Sequence, residues 1–393
     1  MKKINEICDI LNGYAFKSKH YVDSGIRVIR IANVQDGYIS DENPCFYPNS
    51  SIDDIEKYIL KENDLLISLT GNVGRVALLN KEYLPAALNQ RVACLRIKES
   101  YVDKKYLFYY LNQRKFIDDC IKASKGVAQL NLSTKWLESY QLDIPPIKEQ
   151  ERIVAKIEEL FSDLDNAVET LNDTKTQLEV YRQAVYASIY DHNNVRPITD
   201  FFEVTGGLTK NSKRNTLPKK MPYLRVANVY FNMLDLSEIK EIGVNEQEIE
   251  KCLLKKNDLL FVEGNGSKSQ IGRVAIWDGS IENCLHQNHL IKARPLGNMI
   301  PAYALFYLIS GGGRKQINEV SKSTSGLYTL STNKVRELMI PYCDYEKQQQ
   351  GVDEIESRLS VCKSIEETVD TALQQATAMR QSILKQAFEG RLL

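Results

Sequence analysis

From Ile147 to Ile189 the apolar residues recur mostly at steps of three and four: Ile153, Ile157, Leu160, Leu164, Val168, Leu171, Leu178, Tyr181, Val185 and Ile189. That spacing returns one narrow stripe to a single face of an α-helix. A second stripe runs through Val352, Ile355, Leu359, Cys362, Ile365, Val369, Leu373, Ala376, Met379 and Ile383. Prolines precede each stretch (Pro145-Pro146 and Pro341), Pro197 follows the first, and the one glycine inside them is Gly351. Nothing else interrupts either helix. A helix of about 43 residues is roughly 65 Å long, more than a compact domain needs. One stripe on so long a polar rod calls for a partner stripe, and the other helix supplies it as an antiparallel coiled coil.

The segments ahead of the helices carry a different signal. Short β-type runs at Val28–Val34, Leu65–Leu69, Arg75–Leu79 and Ala93–Ile97 are punctuated by Gly, Asn and Asp, as turns require. A matching set lies at Tyr223–Val229, Leu259–Val262, Arg273–Trp277 and Leu290–Ala293. An aromatic-rich helix is expected after each set, around Tyr106–Leu111 and Tyr303–Ile309.

The chain is in fact written twice. Arg30-Ile31-Ala32-Asn33-Val34 returns as Arg225-Val226-Ala227-Asn228-Val229, at an offset of 195. Asn63-Asp64-Leu65-Leu66 returns as Asn257-Asp258-Leu259-Leu260 at 194, and Gly74-Arg75-Val76-Ala77 as Gly272-Arg273-Val274-Ala275 at 198. Leu132-Ser133-Thr134 and Arg182-Gln183 recur at 198 as Leu330-Ser331-Thr332 and Arg380-Gln381. Five ordered matches at a nearly constant offset establish a duplication. The drift in offset places insertions in loops, notably near 263–270.

Composition narrows the class without naming it. The 393 residues are 43% hydrophobic and 26% charged, as in ordinary globular proteins, with room for two domains. No apolar run approaches the roughly 18 to 20 residues that span a bilayer. The opening MKKINEICDILNGY mixes acids and amides where an export signal would be apolar, which predicts no such signal. Eight scattered cysteines without a CxxC pair fit free thiols in a reducing cytoplasm. Lys plus Arg equals Asp plus Glu at 51 each, so there is no global basic field, although local basic surfaces remain possible.

Candidate chemistry fails on context. Phe261-Val262-Glu263-Gly264-Asn265-Gly266 has the look of a cofactor-cradling turn, but a strand follows where that motif needs a helix. Asn43-Pro44-Cys45-Phe46 lacks the second proline of an adenine-methyltransferase clamp. His286 and His289 have no metal-ligating set at zinc spacing, and the matching segment Leu88-Asn89-Gln90-Arg91 has no His. Neither GxxxxGK[ST] nor GxSxG occurs. No catalytic centre and no metal site is therefore expected on this chain.

What the copies offer instead is hydrogen-bonding side chains at their turns. In the first these are Lys17, Lys19, Thr70, Asn72, Arg75, Asn89, Gln90, Arg91, Lys125 and Gln129. In the second they are Lys210, Lys213, Arg214, Asn265, Lys268, Gln270, Arg273, His286, Gln287, Asn288, Lys322, Ser323 and Tyr328. Arg suits guanine edges, Asn and Gln adenine edges, and Lys and Ser phosphate. Taken one at a time, most such residues are simply solvated. The frame matches between the copies while these loops differ, as in two heads of one skeleton meeting different targets.

In this order, the two copies, Ile144-Pro145-Pro146-Ile147-Lys148-Glu149-Gln150 opening a helix, and Arg380-Gln381-Ser382-Ile383-Leu384-Lys385-Gln386-Ala387-Phe388-Glu389-Gly390 resemble the specificity subunit of type I restriction-modification enzymes across essentially the whole chain. Copy two departs at its helix opening, Pro341-Tyr342-Cys343-Asp344-Tyr345-Glu346-Lys347-Gln348. The resemblance implies an α+β chain of two similar α/β target-recognition domains, 1–145 and 193–343, joined by spacer helices at 146–192 and 344–393. The antiparallel helices would give a circular, pseudo-two-fold arrangement. It further implies a non-catalytic cytoplasmic DNA-reading subunit, each domain binding half of a bipartite double-stranded DNA site. Its partners would be two modification subunits bringing S-adenosylmethionine for adenine N6-methylation, and restriction subunits bringing ATP and Mg. The competing expectation is a coiled-coil scaffold that binds proteins without reading DNA.

Overall fold

The computed structural model describes residues 1–126, 129–324 and 326–392, without the side chains of 322–324. The chain divides into two compact units: Met1–Leu171 with Thr371–Leu393, and Asn172–Asp370. No helix among the described residues is long and apolar enough to cross a membrane.

In the first unit the strands of the two larger sheets are β1 (Cys8–Asn12), β2 (Ile26–Ile29), β3 (Phe46–Tyr47), β4 (Leu65–Ser68), β5 (Val76–Leu78), β6 (Ala86–Leu88) and β7 (Val92–Ile97). The main sheet is antiparallel in the order β1-β7-β4-β5, and a second has the order β3-β2-β6 with β2 and β6 parallel. Helices α1 (Lys104–Leu111) and α2 (Arg114–Ala123) follow, and then α3 (Ile147–Ala187). The unbroken run Leu65-Leu66-Ile67 is explained by burial on both faces. Leu65 and Ile67 point into a core with Leu107, Leu111 and Phe116, while Leu66 joins Ile29, Leu79, Leu88 and Cys94 on the other side.

The second unit repeats the plan. Ahead of its helices the strands of its larger sheets are β8 (Phe202–Gly206), β9 (Lys220–Leu224), β10 (Lys240–Gly243), β11 (Leu259–Val262), β12 (Gly264–Asn265), β13 (Val274–Ile276), β14 (Leu285–His286) and β15 (Leu290–Pro295). They form sheets β8-β15-β11-β13 and β10-β9-β14, again with one parallel pair, β9 and β14. Helices α4 (Pro301–Ile309) and α5 (Gly311–Val320) follow, then β16 (Lys322–Thr324), β17 (Leu327–Thr329) and α6 (Tyr345–Phe388). A third small sheet, β12-β17-β16, belongs to this unit.

The repeated motifs turn out to be joints of this frame. Asn63 and Asn257 hold left-handed turns, at φ 68° and 77°, a conformation asparagine tolerates better than most residues. The following aspartates are buried. Asp64 accepts from Lys61 N at 2.7 Å and from Arg96 Nε and Nη2 at 2.8 and 2.6 Å. Asp258 does the same with Lys255 N at 2.7 Å and Arg294 Nε and Nη2 at 2.9 and 2.7 Å. Each bidentate pair ties a turn to the neighbouring strand. Gly74 and Gly272 have φ of 82° and 62°, and a Cβ there would meet Cys120 Cβ at 2.9 Å and Ile317 Cγ2 at 2.5 Å. Gln150 and Gln348 are both buried. Gln150 accepts from Asp103 N at 2.9 Å and Gln348 from Ile300 N at 2.8 Å. So α6 is docked like α3 despite its different opening sequence.

Two expectations change. Arg30-Ile31-Ala32-Asn33 and its repeat are turns, since β2 ends at Ile29 and β9 at Leu224. The Asn33 side chain accepts from Arg30 N at 3.0 Å and donates to Ser40 O at 3.0 Å; Asn228 repeats this with Arg225 N at 2.8 Å and Asp235 O at 2.7 Å. A side chain that satisfies the backbone locally overrides the β-propensity of Val and Ile. Also, Tyr181, Ile365 and Met379 are exposed, off the buried face of the helical stripes.

The helices pair antiparallel within each unit. In the first, Ile153 and Ile157 of α3 share a core with Ile383, Leu384 and Ala387 of α6, while farther along α3 Asp165 pairs with Arg380, whose guanidinium lies 4.8 Å from the Phe161 ring centroid. In the second, Lys175 reaches Asp370 at 2.7 Å and Arg182 reaches Glu366 at 2.5 Å, and Val185 packs with Val352 and Ile355. At Gly351 a Cβ would stand 2.7 Å from Ile189 Cδ1, so the helical glycine marks a close approach. Of the expected interface, Leu164 and Val369 are buried, and Leu160, Leu171, Leu178, Leu359 and Leu373 are half-buried.

Candidate nucleic-acid interface

In the first unit, four chain segments meet at one end of the main sheet. The turn leaving β4 is tied to the turn before β7 by Leu69 N donating to Arg91 O at 3.0 Å, and to the 125–131 segment by Gly71 N donating to Leu130 O at 2.9 Å. Tyr14 N donates to Leu88 O at 2.8 Å and Gln90 N to Tyr14 O at 3.0 Å. This crossing requires glycine at position 13, where a Cβ would lie 2.1 Å from Asn89 O. Thr70, Asn72, Asn89, Gln90, Arg91, Lys125 and Gln129 are therefore gathered on one rim, with Asn72, Gln90, Arg91, Lys125 and Gln129 exposed. Lys17 and Lys19 are exposed a short step beyond Tyr14.

The second unit builds the same rim. Leu208 N donates to His286 O at 2.9 Å, Asn288 N to Leu208 O at 2.8 Å and Glu263 N to His289 O at 2.9 Å. Gly207 stands where Gly13 does, with a hypothetical Cβ 2.4 Å from His286 O. The β12-β17 pairing sets Asn265 opposite Tyr328. Asn265, Gln270, Gln287, Asn288 and Tyr328 are half-buried, and Lys268, Lys210 and Lys213 are exposed. Lys322 and Ser323 lie on β16, but their side chains fall outside the described residues.

Four candidates are engaged by their own unit instead. Arg214 is buried, donating to Glu248 at 2.6 and 3.0 Å and to the carbonyls of Thr209 and Gly243. Arg273 is buried over the Tyr230 ring, 4.9 Å from its centroid, and Arg75 is half-buried against Gln35 at 2.7 Å and Asp36 at 3.6 Å. These two arginines fasten β13 and β5 to the neighbouring turns. His286 is wholly buried; its Nδ1 lies 2.9 Å from Cys252 O, and burial, with the charge of Lys292, pushes its pKa down to about 3. An imidazole so placed is closed to a base. By strand register it corresponds to Leu88, one residue from where sequence comparison set it. His289 lies 3.0 Å from Glu263 Oε2.

The rims carry unneutralised charge. Among the described residues none of Lys17, Lys19, Arg91, Lys125, Lys210, Lys213 or Lys268 takes part in an ion pair, whereas Arg96 and Arg294 in the frame and Lys175 and Arg182 on α3 do. Exposed, unneutralised cations interleaved with amides are the side-chain set that phosphates and base edges engage. Glycines 13 and 207 and Arg314, which reaches the loop before β13, were not singled out from sequence. A glycine directly after a strand was the available signal for the first two.

Comparison with known proteins agrees with this layout. The sequence matches the family described as type I restriction modification DNA specificity domain twice, over residues 1–180 and 190–375. It is 23% identical to the EcoKI specificity subunit of Escherichia coli K12, an alignment covering 99% of this chain and 88% of that protein. A chain solved in work on complex assembly and conformational transition of the type I R-M system has a TM-score of 0.71 at 16% identity, covering 99% and 97% of the two chains. The HsdS subunit from Thermoanaerobacter tengcongensis gives 0.55 at 14%, covering 99% and 96%. At these identities the solved structures speak for the fold, while the twofold sequence match spans both units. The chain belongs to the type I restriction-modification DNA specificity family.

Proposed function

We propose that this chain is the DNA-reading subunit of a type I restriction-modification enzyme, that each unit reads one half of a bipartite site, and that α3 and α6 set the unread spacer. The observation that carries this is the pair of equivalent rims, one per unit, each bearing exposed cations without ion pairs beside Asn and Gln side chains. The loops differ between rims while the frame repeats, so two different half-sites are expected. In this reading the chemistry belongs to partners: two modification subunits bring S-adenosylmethionine and methylate adenine N6, and restriction subunits bring ATP and Mg. Eight free cysteines suit a cytoplasmic setting. The twofold match to a DNA specificity domain favours this reading over a protein-binding scaffold.

The test is exchange. Replacing residues 1–145 with the corresponding segment of a relative, co-expressing the chain with its modification subunit in a methylation-free host and sequencing the methylated sites should change one half of the motif only. Loss of both halves, with the complex still assembled, contradicts modular reading. A second experiment measures the ruler. Inserting one heptad into each helix, near Leu171 and Leu373, adds about 10 Å, equivalent to about three base pairs at roughly 3.4 Å each. The methylated spacer should lengthen accordingly, and an unchanged spacer refutes the helices' role.

A further inference from the structure

The connection from β11 to β13, which contains β12 and matches the β4–β5 loop of the first unit, is where the two copies differ most in length. The offset grows from 194 at Asn63/Asn257 to 198 at Gly74/Gly272, so the second unit's loop is four residues longer. In the first unit the short loop is braced by its own strand: Ser68 Oγ donates to Asn72 O at 2.5 Å and accepts from Arg75 N at 3.0 Å. The position of Ser68 is taken by Val262 in the second unit, which has no hydroxyl to offer.

A different side chain meets the longer loop. Cys120 and Ile317 occupy matching places beside Gly74 and Gly272, which makes Arg314 the counterpart of Ile117. Arg314 projects from α5, its guanidinium 4.8 Å from the Phe231 ring centroid. Nη1 donates to Gly272 O at 3.3 Å and Nη2 to Ser269 O at 3.2 Å. Among the described residues no carboxylate forms an ion pair with it. Its desolvation is uncompensated by charge, and burial lowers its pKa to about 10, still a cation at neutral pH. An arginine so placed costs stability that Ile117 does not. What it gives in return is a forked grip on two carbonyls, one at the base of the loop and one on the stretch that carries Lys268 and Gln270.

We propose that Arg314 is a positioning residue for DNA recognition by the second unit: it clamps the Ser267–Gln270 stretch so that Lys268 and Gln270 are presented to one half-site. The proposal rests on the DNA-reading function argued above. It makes the two units unlike in mechanism. The first holds its short loop by backbone and hydroxyl contacts; the second holds a longer one by the β12-β17 pairing and backbone bonds such as Gly272 N to Val262 O at 3.2 Å, with the Arg314 guanidinium added to them.

The experiment compares wild type, Arg314→Met, Arg314→Lys and, as the control in the other unit, Ile117→Met, each co-expressed with the modification subunit in a methylation-free host. Methylated motifs are mapped by sequencing, and the melting of each purified complex is recorded. Arg314→Met should relax base preference within one half-site and reduce methylation of the full motif about tenfold or more, as expected when a contacting group is displaced by about an ångström. Arg314→Lys keeps the charge but not the fork and should relax the same half-site to a lesser degree. Ile117→Met should leave both halves intact. The proposal is overturned if both Arg314 variants retain the wild-type motif within twofold, or if both halves degrade together in step with a lowered melting temperature. Should Arg314→Met fail to assemble, the Lys variant decides by the same criterion. A wild-type complex that methylates no bipartite motif would instead sink the DNA-reading function itself, and this inference with it.

Discussion

Asp258→Ala should destabilise the second unit by about 3–5 kcal/mol, the usual consequence of removing one partner from a buried ion pair. The carboxylate is wholly buried and engages three donors: Lys255 N and two nitrogens of Arg294. Hydrogen bonding to Asp258 raises the Arg294 pKa; without that partner the guanidinium still stays charged, because arginine is intrinsically too basic to lose its proton. Arg294 Nη2 keeps only Leu253 O, at 2.6 Å, and Lys255 N loses its acceptor. The turn with Asn257 at positive φ then keeps only backbone bonds such as Asn257 N to Trp277 O at 2.8 Å, and β11 starts from that turn while β13 ends beside it. Because domains are stable by only about 5–15 kcal/mol, such a loss approaches unfolding. Asp64→Ala should do the same to the first unit. Denaturant unfolding, followed by proteolysis to assign the transition to a unit, measures both. A loss below about 1 kcal/mol at either site would show that the clamp is dispensable.

The second large effect is acid sensitivity centred on His286. Its pKa is near 3 in the folded chain against 6.5 unperturbed, because burial disfavours the imidazolium. The unfolded chain therefore binds a proton that the folded chain refuses. The contribution is fully present above pH 6.5, falls as the pH drops below that value, and is exhausted near pH 3. The slope is about 1.4 kcal/mol per pH unit, or about 2 kcal/mol between pH 7 and pH 5. The first unit has Leu88 at the equivalent place, also buried, so His286→Leu is a substitution the frame already accommodates. It also removes a buried Nε2 that has no hydrogen-bond partner. Stability at pH 7 should change by no more than about 1 kcal/mol, since replacing a poorly satisfied polar group by an apolar one is close to neutral. The stability difference between pH 7 and pH 5 should shrink by about 2 kcal/mol. An unaltered acid slope in the Leu variant would show that another group is responsible.

Much of the fold was legible because its signals are local and repeated. The two long helices announce themselves by period and by the lack of Pro and of any internal Gly but Gly351; α3 ends at Ala187, within the expected span, and Tyr190 just beyond it is buried, its hydroxyl donating to Tyr303 O at 2.8 Å. The duplication was visible since each matched motif is a joint that both units need: Asp64 and Asp258, Gly74 and Gly272. What sequence misjudged depended on partners far along the chain. Arg214 reads as one more loop cation, yet Glu248 claims it from 34 residues away. His286 lies in a polar string, but β14 places it in the interior. The Asn33 and Asn228 turns read as strands since Val and Ile flank them, and only the carbonyls of Ser40 and Asp235 reveal the alternative. Arg314 carries no motif, and its loop partner Ser269 is separated from it by 45 residues.

The first unit is assembled from two stretches of chain, Met1–Leu171 and Thr371–Leu393. Ile153 and Ile157 share their core with Ile383, Leu384 and Ala387. During biosynthesis those last residues leave the ribosome some two hundred positions after the isoleucines they cover. Until then the first unit carries an uncovered apolar seam, whereas Asn172–Asp370 has all of its own residues in hand earlier. The unit whose synthesis starts first is thus the one completed last, and a nascent chain halted near residue 370 should attract chaperones through that seam.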